Sequence, residues 1–427
     1  MNIEIYIGYF FFLLVSLLIY KYKNLQILWI VYAIFLGCYV GYTLPEFSSN
    51  LYIVNKLFIR SIKCIIGPLL FSTLVLGIAG HKDETALGRM AWKSILYFEM
   101  ATTMALAIGL FMINTFPVGL SIQLTNKVDV NHSLEAVKNV KSWQEHIINL
   151  LPENFIKALA EGQILQIVLF TILFSIALNK IPTRQKEVVV KFAHSLSEVM
   201  FKLTGMIMYL APICVFAAMA FAVSHAGLEV IKKLISLVFL LYASLVIFIL
   251  ITLLPIAVVI KLKFIKFWNS IKDPVALAFA TTSSESALPK AMLAMEKYGV
   301  SKKVVSFVMP LGYSFNLDGT TLYLSLASVF VAQVSGIELS IGTQIALMLS
   351  LMLSSKGIAG VPRASLVILV TTLADFQIPE WPVMIMFGID ELMDMARSSV
   401  NVLGNCFATV VVGAWENEID NNENINN

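Results

Sequence analysis

Charge is scarce in this sequence. Asp, Glu, Lys and Arg make up 13% of the 427 residues, while hydrophobic types make up 58%. A soluble domain carries roughly a quarter charged residues, so half of that complement is missing and most of the surface must face lipid. The net charge of +3 is too small to suggest a nucleic-acid partner, which needs a strong basic field. Cysteine is sparse as well. Cys38, Cys64, Cys214 and Cys406 all sit inside apolar runs, with neither zinc-ligand spacing nor a disulfide framework, and read as small buried side chains. HExxH, GxSxG and Walker sequences are absent, which removes the common signatures of metal, nucleophile and phosphate chemistry. Ser283, Ser284 and Glu285 have no His or Lys base in their motif, so an intramembrane hydrolase finds no support. The histidines, His81, His132, His146, His194 and His225, are scattered near the ends of apolar runs and read as interfacial or loop residues. The chain reads as a non-enzyme without a cofactor.

What is present is a series of long apolar runs. A transmembrane helix needs about 20 mostly apolar residues, and suitable runs begin at Ile5, Gln26, Tyr52, Ser94, Ile164, Val199, Leu234, Val304 and Pro382. Two weaker segments, Asp273 to Lys297 and Ile341 to Phe376, are broken by Ser, Thr, Gly and Pro. Cytoplasmic loops are enriched in Lys and Arg. Such clusters stand at Lys21/Lys23, Lys82/Arg89/Lys93, Arg184/Lys186/Lys191, Lys261/Lys263/Lys266 and Lys297/Lys302/Lys303. They fall at every second crossing if each broken segment turns back to its own side. Residues 117–160 then form a long outer loop, and the C-terminus is cytoplasmic. The run Ile5–Tyr20 lacks a basic leader and a small-residue cleavage site, so it is expected to stay as an extra anchoring helix. The acidic, Asn-rich tail Glu416–Asn427 has too little apolar area to order it and reads as disordered.

The broken segments carry the first functional signal. One reads Thr281-Thr282-Ser283-Ser284-Glu285-Ser286-Ala287-Leu288-Pro289, the other Ser354-Ser355-Lys356-Gly357-Ile358-Ala359-Gly360-Val361-Pro362-Arg363. Irregular backbone is tolerated at membrane depth only inside protein or beside a wet cavity. Paired interruptions in two halves point to a transporter site built from inverted repeats, whereas two merely kinked helices are the plainer account. Ionisable residues inside apolar runs carry the second signal, because burying them costs several kcal/mol. Asp318, in Asn316-Leu317-Asp318-Gly319-Thr320, reads as the middle of a long helix that Gly319 would loosen. It makes either an oxygen cage for a small cation or a polar helix-packing cluster. Positions 390, 394, 397, 401 and 405 hold Asp, Asp, Arg, Asn and Asn on one helical face. Arg397 suits a carboxylate and Asp394 an ammonium, unless the two simply neutralise each other. Glu99 either snorkels to the interface or carries a proton.

These residues resemble the dicarboxylate/amino acid:cation symporters, the family that includes the glutamate transporters. The resemblance spans residues 25 to 415 and rests on Thr281–Pro289, Pro310–Thr320, Ser355–Pro362, and Asp394-Met395-Ala396-Arg397 followed by Asn401–Asn405. It implies an all-α polytopic membrane protein of the glutamate-transporter fold, with inverted repeats, eight core transmembrane helices and two re-entrant helical hairpins after the extra N-terminal helix. The implied division gives 1–22 to that extra helix, 23–93 and 126–228 to a static, trimerising scaffold, and 416–427 to the tail. Residues 94–125 and 229–415 would form a moving transport domain, with hairpins at 272–300 and 340–376.

The resemblance further implies a homotrimer in the plasma (bacterial inner) membrane that works as an elevator and imports an acidic amino acid with protons and/or sodium. By position, Asp394 would hold the amino group with Ser398 beside it, and Arg397 the side-chain carboxylate. Asn401, Thr320 and the hairpin tips at Ser283, Ser284 and Val361 would hold the α-carboxylate. Thr102, Gly312, Ser314, Asn316, Leu317, Asp318, Ser355, Asn401 and Asn405 would form the cation sites, and Glu99 a proton site. Family members for dicarboxylates lack a carboxylate at the position of Asp394, and those for neutral amino acids lack the arginine of Arg397. Keeping both favours glutamate or aspartate over a C4-dicarboxylate or cystine. The chain departs from sodium-coupled members at Asn405, where they have an aspartate, and at Phe98 and Ala101, where they have a tyrosine and a threonine. Neither Thr282 nor Met395 is the arginine that archaeal or animal members carry there. Some relatives also conduct anions, and Lys356 with Arg363 are candidates to line such a path.

Overall fold

The computed structural model describes residues 26–79, 84–120, 151–161, 163–357 and 364–420. The expected N-terminal helix and most of the expected outer loop lie outside these. In chain order the helices are α1 (Gln26–Thr43), α2 (Pro45–Asn50), α3 (Tyr52–Ala79), α4 (Glu84–Thr115), α5 (Phe155–Glu161), α6 (Ile164–Leu178), α7 (Thr183–Met208), α8 (Ala211–Ala226), α9 (Glu229–Phe248), α10 (Leu254–Val259), α11 (Phe264–Thr281), α12 (Ser284–Tyr298), α13 (Lys302–Phe315), α14 (Asp318–Val334), α15 (Ile341–Ser354), α16 (Ala364–Asp375), α17 (Trp381–Met386) and α18 (Asp390–Trp415).

Among the described residues, five segments are long and apolar enough to cross a membrane: Pro45–Leu76, Arg89–Thr115, Glu229–Val259, Lys302–Val334 and Asp390–Trp415. A sixth arises if α7 and α8, bent by 51°, count as one. The single run expected from Val199 is therefore corrected: it breaks at Tyr209–Leu210, just ahead of Pro212 in the first turn of α8, where proline suits a helix start. Pro255 perturbs its span without breaking it: α9 widens into a π turn over Ile249–Leu253 before α10, since the ring offers no N–H to the ladder. The run expected from Pro382 also divides, into α17 and α18.

Both weak segments fold as helix pairs. Helices α11 and α12 pack on one another, as do α15 and α16. The first tip turns at Thr282, whose φ of 51° is left-handed, a costly state for a β-branched residue. The second tip, with Val361 and Arg363, falls outside the described residues.

Packing sorts the helices into two sets. Helix α1 packs on α8, and α3 on α6 and α7, whereas α4 packs on α14, and α18 on α11, α12, α13 and α14. Burial decides which span can tolerate irregular backbone. The apolar stretch of Lys302–Val334 is 94% buried against 39% for Glu229–Val259, so protein rather than lipid surrounds the break at Asn316–Leu317.

The start of the tail is ordered, contrary to the sequence expectation. Glu416 pairs with Arg89 at 2.7 Å and Lys93 at 2.7 Å. Ser301 N donates to Glu418 O and Asp420 N to Gly299 O, with Ile419 bridging Val300. Charge complementarity and backbone pairing replace the missing apolar area. Cys214 and Cys406 are buried as expected, but Cys64 is exposed.

Candidate substrate and cation site

The site forms where α14, α18 and the two helix pairs meet. Backbone comes first. Asn316 and Leu317 leave the helical region, with φ/ψ of −127°/73° and −105°/66°, and α14 begins at Asp318. The break thus precedes Asp318, and the expectation that Gly319 loosens a continuous helix is corrected. Gly319 instead permits close approach, because a Cβ there would strike the backbone of Arg397. Leu317 offers no side-chain cap. Asn401 supplies one from α18: its Oδ1 accepts from Gly319 N at 2.9 Å and Thr320 N at 3.2 Å. Its amide donates to Thr320 Oγ1 at 2.9 Å.

Around the break lie buried oxygens. Asn316 Nδ2 donates to Asp318 Oδ2 at 3.1 Å and to Asn405 Oδ1 at 3.5 Å. Asn316 Oδ1 and Asp318 Oδ1 have no hydrogen-bond partner among the described residues. A Cβ at Gly312 would collide with Asn405, and one at Gly404 with Asp318, so these two glycines make room for the cluster. The carbonyls of Gly312 and Leu317 already accept from Asn316 N and Thr321 N, each keeping a second lone pair. Ser314 lies on the last turn of α13.

One turn along α18, Arg397 is fully buried. It reaches Asp390 Oδ1 at 3.1 Å and Asp394 Oδ1 at 3.0 Å, donates to Ser365 Oγ at 3.2 Å and lies 3.8 Å from the ring centre of Tyr323. Arg397 Nε has no hydrogen-bond partner among the described residues. Asp394 and Arg397 do pair, as the plainer account expects, and Asp390 adds a second carboxylate to the cluster. Ser398 Oγ reaches Asp394 at 3.5 Å. The first hairpin tip docks here through Ser284 Oγ to Ser398 O and Thr282 Oγ1 to Glu391 Oε1, both at 3.4 Å.

Ser284, Thr320, Asp394, Arg397, Ser398 and Asn401 are therefore gathered. Ser283 is committed locally, since its hydroxyl accepts from Ser286 N as the cap of α12. Val361 lies outside the described residues. Thr102 and Ser355 are buried on a second flank, where Lys356 Nζ lies 3.0 Å from Glu99 Oε1. Lys356 thus has an ion-pair partner, a feature that its reading as an anion-path residue missed. Tyr323 and Ser365 were missed too, since a tyrosine or serine in an apolar run carries no signal of its own.

Residues 27–415 match the sodium:dicarboxylate symporter family. The chain belongs to that family. It is 40% identical to a C4-dicarboxylate transport protein of Bacillus subtilis (strain 168) over 410 residues, 95% of this chain and 96% of that one. It is also 40% identical to a proton/glutamate-aspartate symporter of Escherichia coli (strain K12), over 91% of this chain and 92% of that one. A proton/sodium-glutamate symport protein of Geobacillus stearothermophilus is 38% identical over 93% of this chain and 96% of its own length.

Proposed function

We propose that this family member imports glutamate or aspartate together with cations, protons and/or sodium. The observation that carries the reading is the cluster of Arg397 with Asp390 and Asp394, all at most 7% exposed. A guanidinium offers a planar fork to a carboxylate. With Arg397 placed between two carboxylates, the ionised cluster keeps one negative charge, which suits an ammonium. A substrate with one ammonium and two carboxylates uses both kinds of group. Adding its net negative charge to a buried region that also holds Asp318 is costly without accompanying cations. That electrostatic requirement is a physical reason for symport.

In this reading Asn401, Thr320, Ser284 and Val361 hold the α-carboxylate, with Ser398 near the amino group. The cation sites draw on Thr102, Gly312, Ser314, Asn316, Leu317, Asp318, Ser355, Asn401 and Asn405, with Glu99 as the proton candidate. The second packing set acts as a moving transport domain against a static scaffold made from the first, in a homotrimer. The spacing of the Lys and Arg clusters supports a cytoplasmic C-terminus. The runner-up substrate is a C4-dicarboxylate, favoured by the 40% identity to a relative of that name. Uptake of labelled aspartate, glutamate and succinate into proteoliposomes, under separately imposed sodium and proton gradients, tests substrate and coupling together.

A further inference from the structure

Lys356 lies on the short turn Ser355–Gly357 that ends the first arm of the second helix pair, and it is only 5% exposed. A buried ammonium needs all three of its N–H donors matched. Here it has three oxygen acceptors: Glu99 Oε1 at 3.0 Å, Thr102 Oγ1 at 3.0 Å and Phe315 O at 3.1 Å. They come from two elements, α4 and the end of α13, and Lys356 itself comes from a third. Asp318 is a second carboxylate within electrostatic reach of the ammonium. The neighbours Phe98 and Ala101 are buried and their side chains supply no oxygen.

A carboxylate, a hydroxyl and a backbone carbonyl converging on one point is the donor set of a hard monovalent or divalent cation. The carbonyl belongs to Phe315, the residue just before the helix break, so the ammonium sits beside the oxygen cluster of Asn316 and Asp318. We propose that Lys356 is a tethered cation: its ammonium fills, from within the chain, a monovalent-cation position formed by Glu99, Thr102 and Phe315, and makes that position independent of sodium. Cation specificity at this point is then set by a residue of the second hairpin, and the charge arrives with the hairpin arm rather than from solution. Calling the position a coupling site rests on the cation-symport reading above. The occupancy of the position by Lys356 does not.

The test uses the purified full-length protein and needs no transport. Thermal unfolding is followed for wild type, Lys356→Met and Lys356→Gln in sodium chloride or choline chloride at equal ionic strength. Met opens the position, whereas Gln keeps an amide donor for Thr102 or Phe315. The account expects sodium to raise the Tm of at least one variant by about 3 °C or more beyond any rise in wild type, saturably, as for a ligand bound only by the folded state. If neither variant yields folded protein in choline, recovery of folded protein in sodium is the equivalent result. A lysine that merely braces the hairpin predicts lower melting with no new response to sodium. That outcome, or failure to fold in both salts, overturns the proposal. Loss of acidic amino acid uptake in the wild type sinks the substrate reading and leaves this result standing.

Discussion

Arg397 and Asp390, one helix face and seven residues apart, are held together at 3.1 Å with neither side chain exposed. Asp390 Oδ1 accepts from the same Nη2 atom that lies 3.0 Å from Asp394, so one nitrogen serves two carboxylates, while Nε has no hydrogen-bond partner among the described residues.

Arg397→Ala is expected to abolish acidic amino acid uptake, and Arg397→Lys to weaken it less. Removing one member of a buried charge cluster costs about 3–5 kcal/mol because the partners stay buried and uncompensated. The alanine variant should therefore also melt earlier, and Asp390→Asn in the same chain should recover part of the Tm without recovering uptake. Normal glutamate and aspartate uptake in a correctly inserted alanine variant would remove the substrate assignment.

Asp394→Asn should weaken amino acids selectively. The amide no longer balances an ammonium, whereas succinate has none. Competition of unlabelled glutamate, aspartate and succinate against a labelled substrate reads the ratio directly. An equal loss for all three would assign Asp394 to the fold or to a cation.

Asn401→Ala removes the cap that α18 gives to α14, and lost caps typically cost about 1 kcal/mol. Asn401→Asp keeps the acceptor toward Gly319 N and Thr320 N and should retain more of the melting temperature. Equal melting of all three proteins would show that the break needs no cap.

The clasp of Glu416 on Arg89 and Lys93 has an acid-side signature. Hydrogen bonds from Arg89 and Lys93 hold the Glu416 carboxyl down at about 2, from an ordinary 4.5. A folded-state value below the unfolded one gives stability that is present above about 4.5 and lost as pH falls toward 2. Glu416→Gln should lower Tm at neutral pH, and its deficit against wild type should shrink through that acid window. A deficit that does not change with pH would mean the clasp acts by packing alone.

Much of the fold was legible because lipid imposes simple rules. Length and apolarity picked out the runs from Tyr52, Ser94, Leu234, Val304 and Pro382, whereas those from Gln26 and Ile164 fold as shorter apolar helices; the three-to-four spacing from Asp390 to Asn405 put five polar residues on one face that the structure buries. Breaks were harder to see. The turn at Tyr209–Leu210 lies inside one continuous apolar run, where Pro212 is its one local mark, and the 51° bend shows only in the structure. At Asp318 the glycine drew attention, although the backbone opens at Asn316 and is closed by Asn401, a partner 82 residues from Gly319. No local pattern signals such a cap. Lys356 was visible as an oddity, but its meaning depends on Glu99, more than 250 positions earlier in the chain.

The most direct measurement is accumulation in proteoliposomes loaded without substrate, with labelled aspartate, glutamate or succinate outside and an inward cation gradient imposed. The account predicts that aspartate or glutamate rises above its external concentration and collapses when the gradient is dissipated, while succinate accumulates far less. Succinate concentrated in preference to both amino acids, or flux that never exceeds equilibrium, would contradict it.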